Sequence, residues 1–579
     1  MHDLLIKGGT VLDGTGQPGR TADVAVDDGR VVAVGQLGNP AARQTLEADG
    51  LLVTPGWVDV HTHYDGQATW DDVLAPSTWH GVTSLVMGNC GVGFAPARPD
   101  RHDWLIGLME GVEDIPGTAL AEGIEWEWET FPEYLDALDR RRWPVDVGTQ
   151  VAHGAVRAYV MGDRGARNEP ARPEDIEEMR RIVAEALEAG ALGFSTSRTV
   201  AHLAVDGEPV PGTYAGEDEL FGIGRALRDT GRGVFELAPA GVAGEDVVAP
   251  AAEADWMARL AADIGRPVTF ALLQVDADPD LWRHLLEAAS TAAAAGHRLV
   301  PQVAGRPTGL LSGLRTTHCL FDWIPTFADL KARCATKDEL VARLADPAIR
   351  QAIVGWTPPD QAMADMMDKA YATTYVLGSP PDYEPGPERT LTALAAAAGR
   401  HPLDLAFEAM AADDGRGLLY VPILNYSSGD LEPAREMLLH PESALGLGDG
   451  GAHVGVICDA SMPTFMLTHW TRDRTRGDRL PIEWVVRKQT SDTARLYGLE
   501  DRGILAPGFR ADVNLIDYDG LRLGDPTVVS DLPAGGSRIL QDATGYVATI
   551  KGGQVTFDQG RDTGVRPGHL LRGARPAPA

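Results

Sequence analysis

The sequence predicts an α/β fold: a (β/α)8 TIM barrel with a small β-sandwich domain formed by the N- and C-terminal segments. Three observations lead there. Between about residues 56 and 500, short apolar runs alternate with stretches of helical periodicity, filling eight strand slots. Both chain ends read instead as short strands separated by turn dipeptides, so the two ends can pair into one sheet domain. No glycine-rich phosphate loop follows the first barrel strand, which weakens the doubly wound alternative.

Residues 1–55 supply the first part of the small domain. Their strand-like runs are punctuated by Gly8-Gly9, Asp13-Gly14, Asp28-Gly29 and Asp49-Gly50. Residues 56–500 form the expected barrel, with strands near Trp57–Val60, Ser84–Met87, Val145–Val151, Leu192–Ser195, Val234–Leu237, Val268–Leu273, Arg298–Val303 and Leu445–Gly448. The clearest helix is Pro173–Ala189, where Ile176, Met179, Ile182, Val183 and Leu187 recur at helical spacing. Insertions near 100–140 and 310–425 exceed what a barrel needs and are expected to cover its C-terminal mouth. Residues 501–560 return to short strands, and 561–579, rich in Gly, Arg, Pro and Ala, read as a flexible tail.

Composition narrows the function class. The chain has 579 residues, with 51 Lys plus Arg against 83 Asp plus Glu, a formal net charge of −32. That excess of acid argues against nucleic acid and against an anionic membrane surface, because both draw affinity from clustered Lys and Arg. A small-molecule substrate is the expected partner, and self-association stays open. Four cysteines with no CxxC pair, no signal-like N-terminus and no long apolar span point to a reducing cytoplasm.

The sharpest local signal is Pro55-Gly56-Trp57-Val58-Asp59-Val60-His61-Thr62-His63. Residues i and i+2 of a strand point the same way, so His61 and His63 at the strand end can share one cation. The next strand ends Val86-Met87-Gly88-Asn89-Cys90-Gly91. Cys90 sits where a second-strand ligand would sit, and a thiolate beside a dication is a strong zinc ligand; the bland alternative is a small buried residue. Late in the chain, Leu447-Gly448-Asp449-Gly450-Gly451-Ala452-His453 releases Asp449 into a turn at the mouth, where a carboxylate can bind a cation and take a proton from water.

Together these motifs resemble the amidohydrolase superfamily, and within it the N-acyl-D-amino-acid deacylase (D-aminoacylase) branch. The opening Asp3–Gly14 and the returning Arg502–Val513 are similar to that family's terminal strands, so the resemblance spans about residues 3–560. It implies a metal-dependent hydrolase of a carbon–nitrogen amide bond, with Asp449 as general base. Further matching segments bring His153, which closes the third strand, into consideration as a substrate contact.

The sequence also departs from the family. D-aminoacylases carry histidines at the ends of the fifth and sixth strands, and Gly233–Ala238 and Val268–Gln274 contain none. A lysine that grips the substrate carboxylate corresponds to Gln274. The expectation is therefore one divalent metal per chain, zinc, held by His61, His63 and Asp449 with Cys90 as fourth ligand, and Glu236 as an alternative oxygen donor. Arg306 and Thr308, after the seventh strand, are candidates for holding a polar substrate group. His453 or backbone donors of Gly88–Gly93 are candidates for steadying an oxyanion. The departures keep open a related mononuclear hydrolase of a cyclic amide, lactone or carbon–carbon bond, and more remotely a non-catalytic scaffold.

Overall fold

The computed structural model describes residues 1–578; Ala579, the end of the expected tail, lies outside them. The centre is made of parallel strands. A three-stranded sheet runs Trp57–Asp59, Val82–Met87, Asp146–Thr149, and a six-stranded sheet runs Val151–Ala152, Gly193–Ser197, Val234–Ala238, Val268–Leu272, Leu299–Val303, Ala444–Leu445. The two are continuous in sequence through Gln150, whose N–H donates to Met87 O at 2.9 Å. At the other end Thr62 bridges Gly450 in parallel, with His63 N–H donating to Gly450 O at 2.7 Å and Asp449 N–H to His61 O at 3.0 Å. First and last strand positions are thus linked immediately beyond their C-terminal ends.

The central strands are buried on both faces, which is why they read as near-continuous apolar runs rather than as alternating ones. Helices Pro173–Ala189, Glu217–Thr230, Ala249–Ile264 and Trp282–Ala294 precede successive strands. In the first of these Met179, Ile182, Val183, Ala186 and Leu187 face inward, Pro173 opens the helix where its missing N–H costs nothing, and Gly190 ends it at φ 124°.

Strands from both termini form one nine-stranded sheet. Leu52–Pro55 pairs with Val513–Ile516, which pairs in turn with Tyr546–Lys551, joining the two ends of the chain. Its inward residues alternate, as in Leu4 and Ile6, Val24 and Val26, Val513 and Leu515, giving the sheet an apolar core of its own. A charged knot ties it to the central strands: buried Asp146 meets Lys551 at 2.6 Å and Arg502 at 2.7 Å.

The insertion near 310–425 has more structure than expected. Strands Thr308–Gly313, Leu418–Leu424 and Tyr375–Val376 form an antiparallel sheet, and the helices between them close a separate core around Phe321, Ile324, Phe327, Leu340, Met367 and Phe407.

The expectation of a flexible tail over 561–579 is corrected for the described residues. Leu570 and Leu571 are buried, Gly568 bridges Trp143, and Arg575 bridges Leu499. The two leucines bury apolar area among the central strands and helices, which outweighs the tail's loose composition.

Candidate metal centre

The sequence-adjacent pair behaves as the strand period requires. His61 and His63 are both buried, their rings 5.4 Å apart, while Thr62 between them turns away and donates to Val86 O at 2.9 Å. Cys90 reaches the pair from a loop held in left-handed backbone, φ 80° at Gly88, 54° at Cys90 and 71° at Gly91. Gly91 passes so close to Ser197 N that a side chain there would collide. One donor atom each from His61, His63 and Cys90 lies within 4.8 Å of the others.

Asp449 stands beside the two histidines. Its Oδ1 is 3.4 Å from His61 Nε2 and 3.7 Å from His63 Nε2, and Cys90 Sγ is 3.4 Å from His61 Nε2. Ligands about 2.0–2.3 Å from a tetrahedral zinc stand about 3.3–3.7 Å from one another. His61, His63 and Cys90 therefore suit a cation in chemistry and in spacing, with Asp449 at ligand-to-ligand distance from the two histidines.

The charge around it asks for one. Asp59, Asp65, Glu113, Glu236 and Asp449 cluster about the two imidazoles. Among the described residues, the ion-pair partners of Glu113, Glu236 and Asp449 are all histidines. Carboxylates massed in a buried site without Lys or Arg need a cation or must give up their charge. Burial pushes Glu236 up to about 8, and burial, with the neighbouring carboxylates adding to it, raises the Cys90 thiol well above its ordinary value. Asp449 goes the other way: burial would raise it, but His63, His61 and His453 hold it well below the usual carboxylate range. Burial pushes His61 down to about 4. Burial also pulls on His63, but Glu113 and then Asp449 outweigh it and hold that ring up at about 9.

Three supporting residues escaped the sequence. Gln302, a lone polar residue in the seventh strand, accepts from His61 Nδ1 at 2.8 Å, leaving Nε2 to face the cluster. Glu113, from the acidic run in the first insertion, sits 3.1 Å from His63 Nδ1. His202 hangs from Ser197 Oγ at 3.0 Å in the field of His453 and His63, and is pushed down to about 3 by burial and these neighbours. A polar residue inside an apolar strand was the readable signal for Gln302 and for Glu236. Glu236 does point into the centre: its Oε2 accepts the Cys90 N–H at 2.9 Å and its Oε1 is 3.9 Å from His61 Nδ1.

Several expected substrate contacts are committed elsewhere. His153 is fully buried between Thr196 Oγ1 at 2.8 Å and Glu219 Oε1 at 3.0 Å. Gln274 pins a neighbouring loop, accepting from Ser427 N–H at 3.1 Å and donating to Pro279 O and Ser428 Oγ at 3.2 Å. Arg306 is buried against Asp459 at 2.8 Å and stacks over Tyr383. Thr308 opens the first strand of the second insertion, paired with Leu424. Four of the six backbone donors of Gly88–Gly93 are also taken: Gly88 N–H goes to Asp65, Cys90 N–H to Glu236, Gly91 N–H to Ser195 and Val92 N–H to Asn89 O. The His453 side chain, 29% exposed, is open to the mouth.

Comparison with known proteins fits this arrangement. The sequence matches the amidohydrolase family over residues 44–557. The chain belongs to the amidohydrolase family. As an amidohydrolase it is a metal-dependent hydrolase of amide carbon–nitrogen bonds. It is 30% identical to a D-aminoacylase of Alcaligenes xylosoxydans xylosoxydans, over 98% of this chain and 97% of that one. It is 28% identical to an N-acyl-D-glutamate deacylase of the same organism, over 98% and 96%. In fold, this amidohydrolase matches a D-aminoacylase structure described with a binuclear metal centre, at TM-score 0.65 and 22% identity over 99% and 100% of the two chains. It also matches the N-acyl-D-glutamate deacylase of Bordetella bronchiseptica in complex with zinc and a phosphonate, at TM-score 0.63 and 23% identity over 99% of each chain.

Proposed function

We propose that this amidohydrolase removes the acyl group from an N-acyl-D-amino acid, using one zinc ion held by His61, His63, Cys90 and Asp449. The grouping of His61, His63 and Cys90, with Asp449 beside the two histidines, is the observation that supports it most directly, and full-length similarity to two deacylases supports the substrate class. Bound there, the cation supplies Lewis acidity to a water and to the scissile carbonyl. Asp449 is held ionised and is 18% exposed, against 1% and 2% for the histidine side chains. It takes the proton as water adds to the carbonyl carbon, and returns it to the nitrogen as the carbon–nitrogen bond breaks. His453 steadies the negative oxygen from the mouth.

A single metal is favoured over two because the fifth strand offers Glu236, already bonded to the Cys90 N–H, and the sixth offers no imidazole. The related reading, a cyclic amide or lactone, is favoured by Gln274: bound to its loop, it leaves no lysine-like grip for a free carboxylate. The same proposal takes the eight parallel strand positions as a closed (β/α)8 barrel and the terminal sheet as a β-sandwich. It places a small-molecule enzyme in a reducing cytoplasm, consistent with four free cysteines.

The test is a screen of N-acyl-D- and N-acyl-L-amino acids, lactams and lactones with zinc-loaded protein. Turnover confined to N-acyl-D-amino acids supports the first reading. Turnover of lactams or lactones alone selects the second, and no turnover of any class with zinc, cobalt or manganese sinks both.

A further inference from the structure

We propose that Glu113 is the positioning residue of the metal centre, orienting His63 through its Nδ1 while its backbone anchors the loop that presents Asp449. This rests on the metal reading above. Glu113 closes the helix His102–Glu113 and is 1% exposed. Its Oε1 lies 3.1 Å from His63 Nδ1 and its Oε2 lies 3.7 Å from His453 Nε2. Its carbonyl accepts the His453 N–H in a short bond, and the Oδ2 of the next residue, Asp114, accepts the Gly455 N–H at 3.2 Å. Two successive residues of the first insertion therefore grip the loop that begins at Asp449.

The carboxylate has no other evident employment. Among the described residues, neither His63 Nδ1 nor Glu113 Oε2 has an aligned hydrogen-bond partner, and Glu113 pairs with no Lys or Arg. A buried carboxylate set against imidazole, with no Lys or Arg beside it, is weak grounds for fold stability. Positioning accounts for it. An imidazole that ligates a cation through one nitrogen is commonly fixed by an acceptor at the other, and a carboxylate makes it a stronger donor than a neutral amide does. His61 has the neutral amide of Gln302 in a hydrogen bond; His63 has the Glu113 carboxylate 3.1 Å away. The two rings are thus oriented from different sources, one from the seventh strand and one from the insertion over the mouth.

The experiment uses the full chain and zinc itself, with Glu113→Gln, which keeps the shape, and Glu113→Ala. Zinc affinity is read by competition with a chromophoric chelator, and the thermal midpoint is read on chelator-treated protein. Glu113→Gln is expected to bind zinc about 10–100-fold more weakly at an unchanged metal-free midpoint. The cobalt-loaded variant should show a shifted visible absorption band. Wild-type affinity in Glu113→Gln overturns the assignment. So does a loss of affinity matched by a fall in the metal-free midpoint in both variants, the mark of a structural role only. If the unmodified chain itself binds no zinc, the metal reading fails first and this inference falls with it.

Discussion

The Oε2 atom of Glu236 accepts the backbone N–H of Cys90 at 2.9 Å. A carboxylate on the fifth strand thus fixes the loop that brings the thiol to the two histidines. One oxygen of Glu236 is spent on shaping the centre, and no histidine of the fifth or sixth strand is available to build a second one. Protein purified without chelators should hold about one equivalent of zinc per chain. Elemental analysis decides it, and two tightly held equivalents would refute the single-site arrangement.

Asp449 is a half-buried carboxylate of the cluster and the proposed base. Asp449→Asn keeps the side-chain volume and removes the proton acceptor. Turnover should fall by about 10²–10⁴-fold with an intact circular dichroism spectrum. Near-wild-type turnover would move the role to another group.

Chelation should abolish activity and lower the thermal midpoint, because a cation that binds only the folded state stabilises it by mass action. His61→Ala, which removes the ring fixed by Gln302, should make the midpoint insensitive to added zinc. A zinc-dependent rise in that variant would place the metal elsewhere.

Glu384 provides a test of acid stability away from the centre. Burial would raise its carboxyl, but His469 at 2.7 Å and Arg474 at 3.0 Å outweigh burial and hold it down to about 2. The unfolded chain, with an ordinary glutamate near about 4.3, binds the proton first as pH falls. The contribution is therefore fully present above about pH 4.5 and is lost as pH drops toward 2. Urea midpoints between pH 5 and 3 should fall more steeply for the unmodified chain than for Glu384→Gln, and equal slopes would disprove the link.

The terminal sheet depends on Asp146, which is buried between Lys551 and Arg502. Asp146→Asn removes the anion that Lys551 and Arg502 share and leaves each with one partner, Asp512 and Asp501, a loss of about 1.5–3 kcal/mol. Denaturant titration measures it. A loss under about 1 kcal/mol would mean that Asp512, 2.7 Å from Lys551, suffices.

The parts of the site that were legible obey short-range rules. His61 and His63 were readable because strand residues two apart share a face, and Asp449 because an Asp-Gly turn at a strand end exposes its first residue. Cys90 was readable from its place in the strand order. The helix Pro173–Ala189 was readable from its periodicity and runs over those residues. The misassigned contacts fail for one reason. His153, Gln274 and Arg306 are polar residues at or just beyond strand ends, but Glu219, Ser427 and Asp459, which claim them, lie 66, 153 and 153 residues away.

The sequence by itself determined the strand–helix alternation, the joining of the two chain ends in one sheet and the donors able to hold a cation, since each follows from local periodicity or turn chemistry. The tertiary structure decided how those donors are held. Gln302 reaches His61 across 241 residues of chain, Glu113 comes to His63 on an inserted helix, and Glu236 secures Cys90 across 146 residues. It also decided that the last segment is anchored at Leu570 and Leu571, which find an apolar surface that composition alone does not reveal. Such pairings depend on which surfaces meet when the strands and insertions pack together, and no sequence period records that.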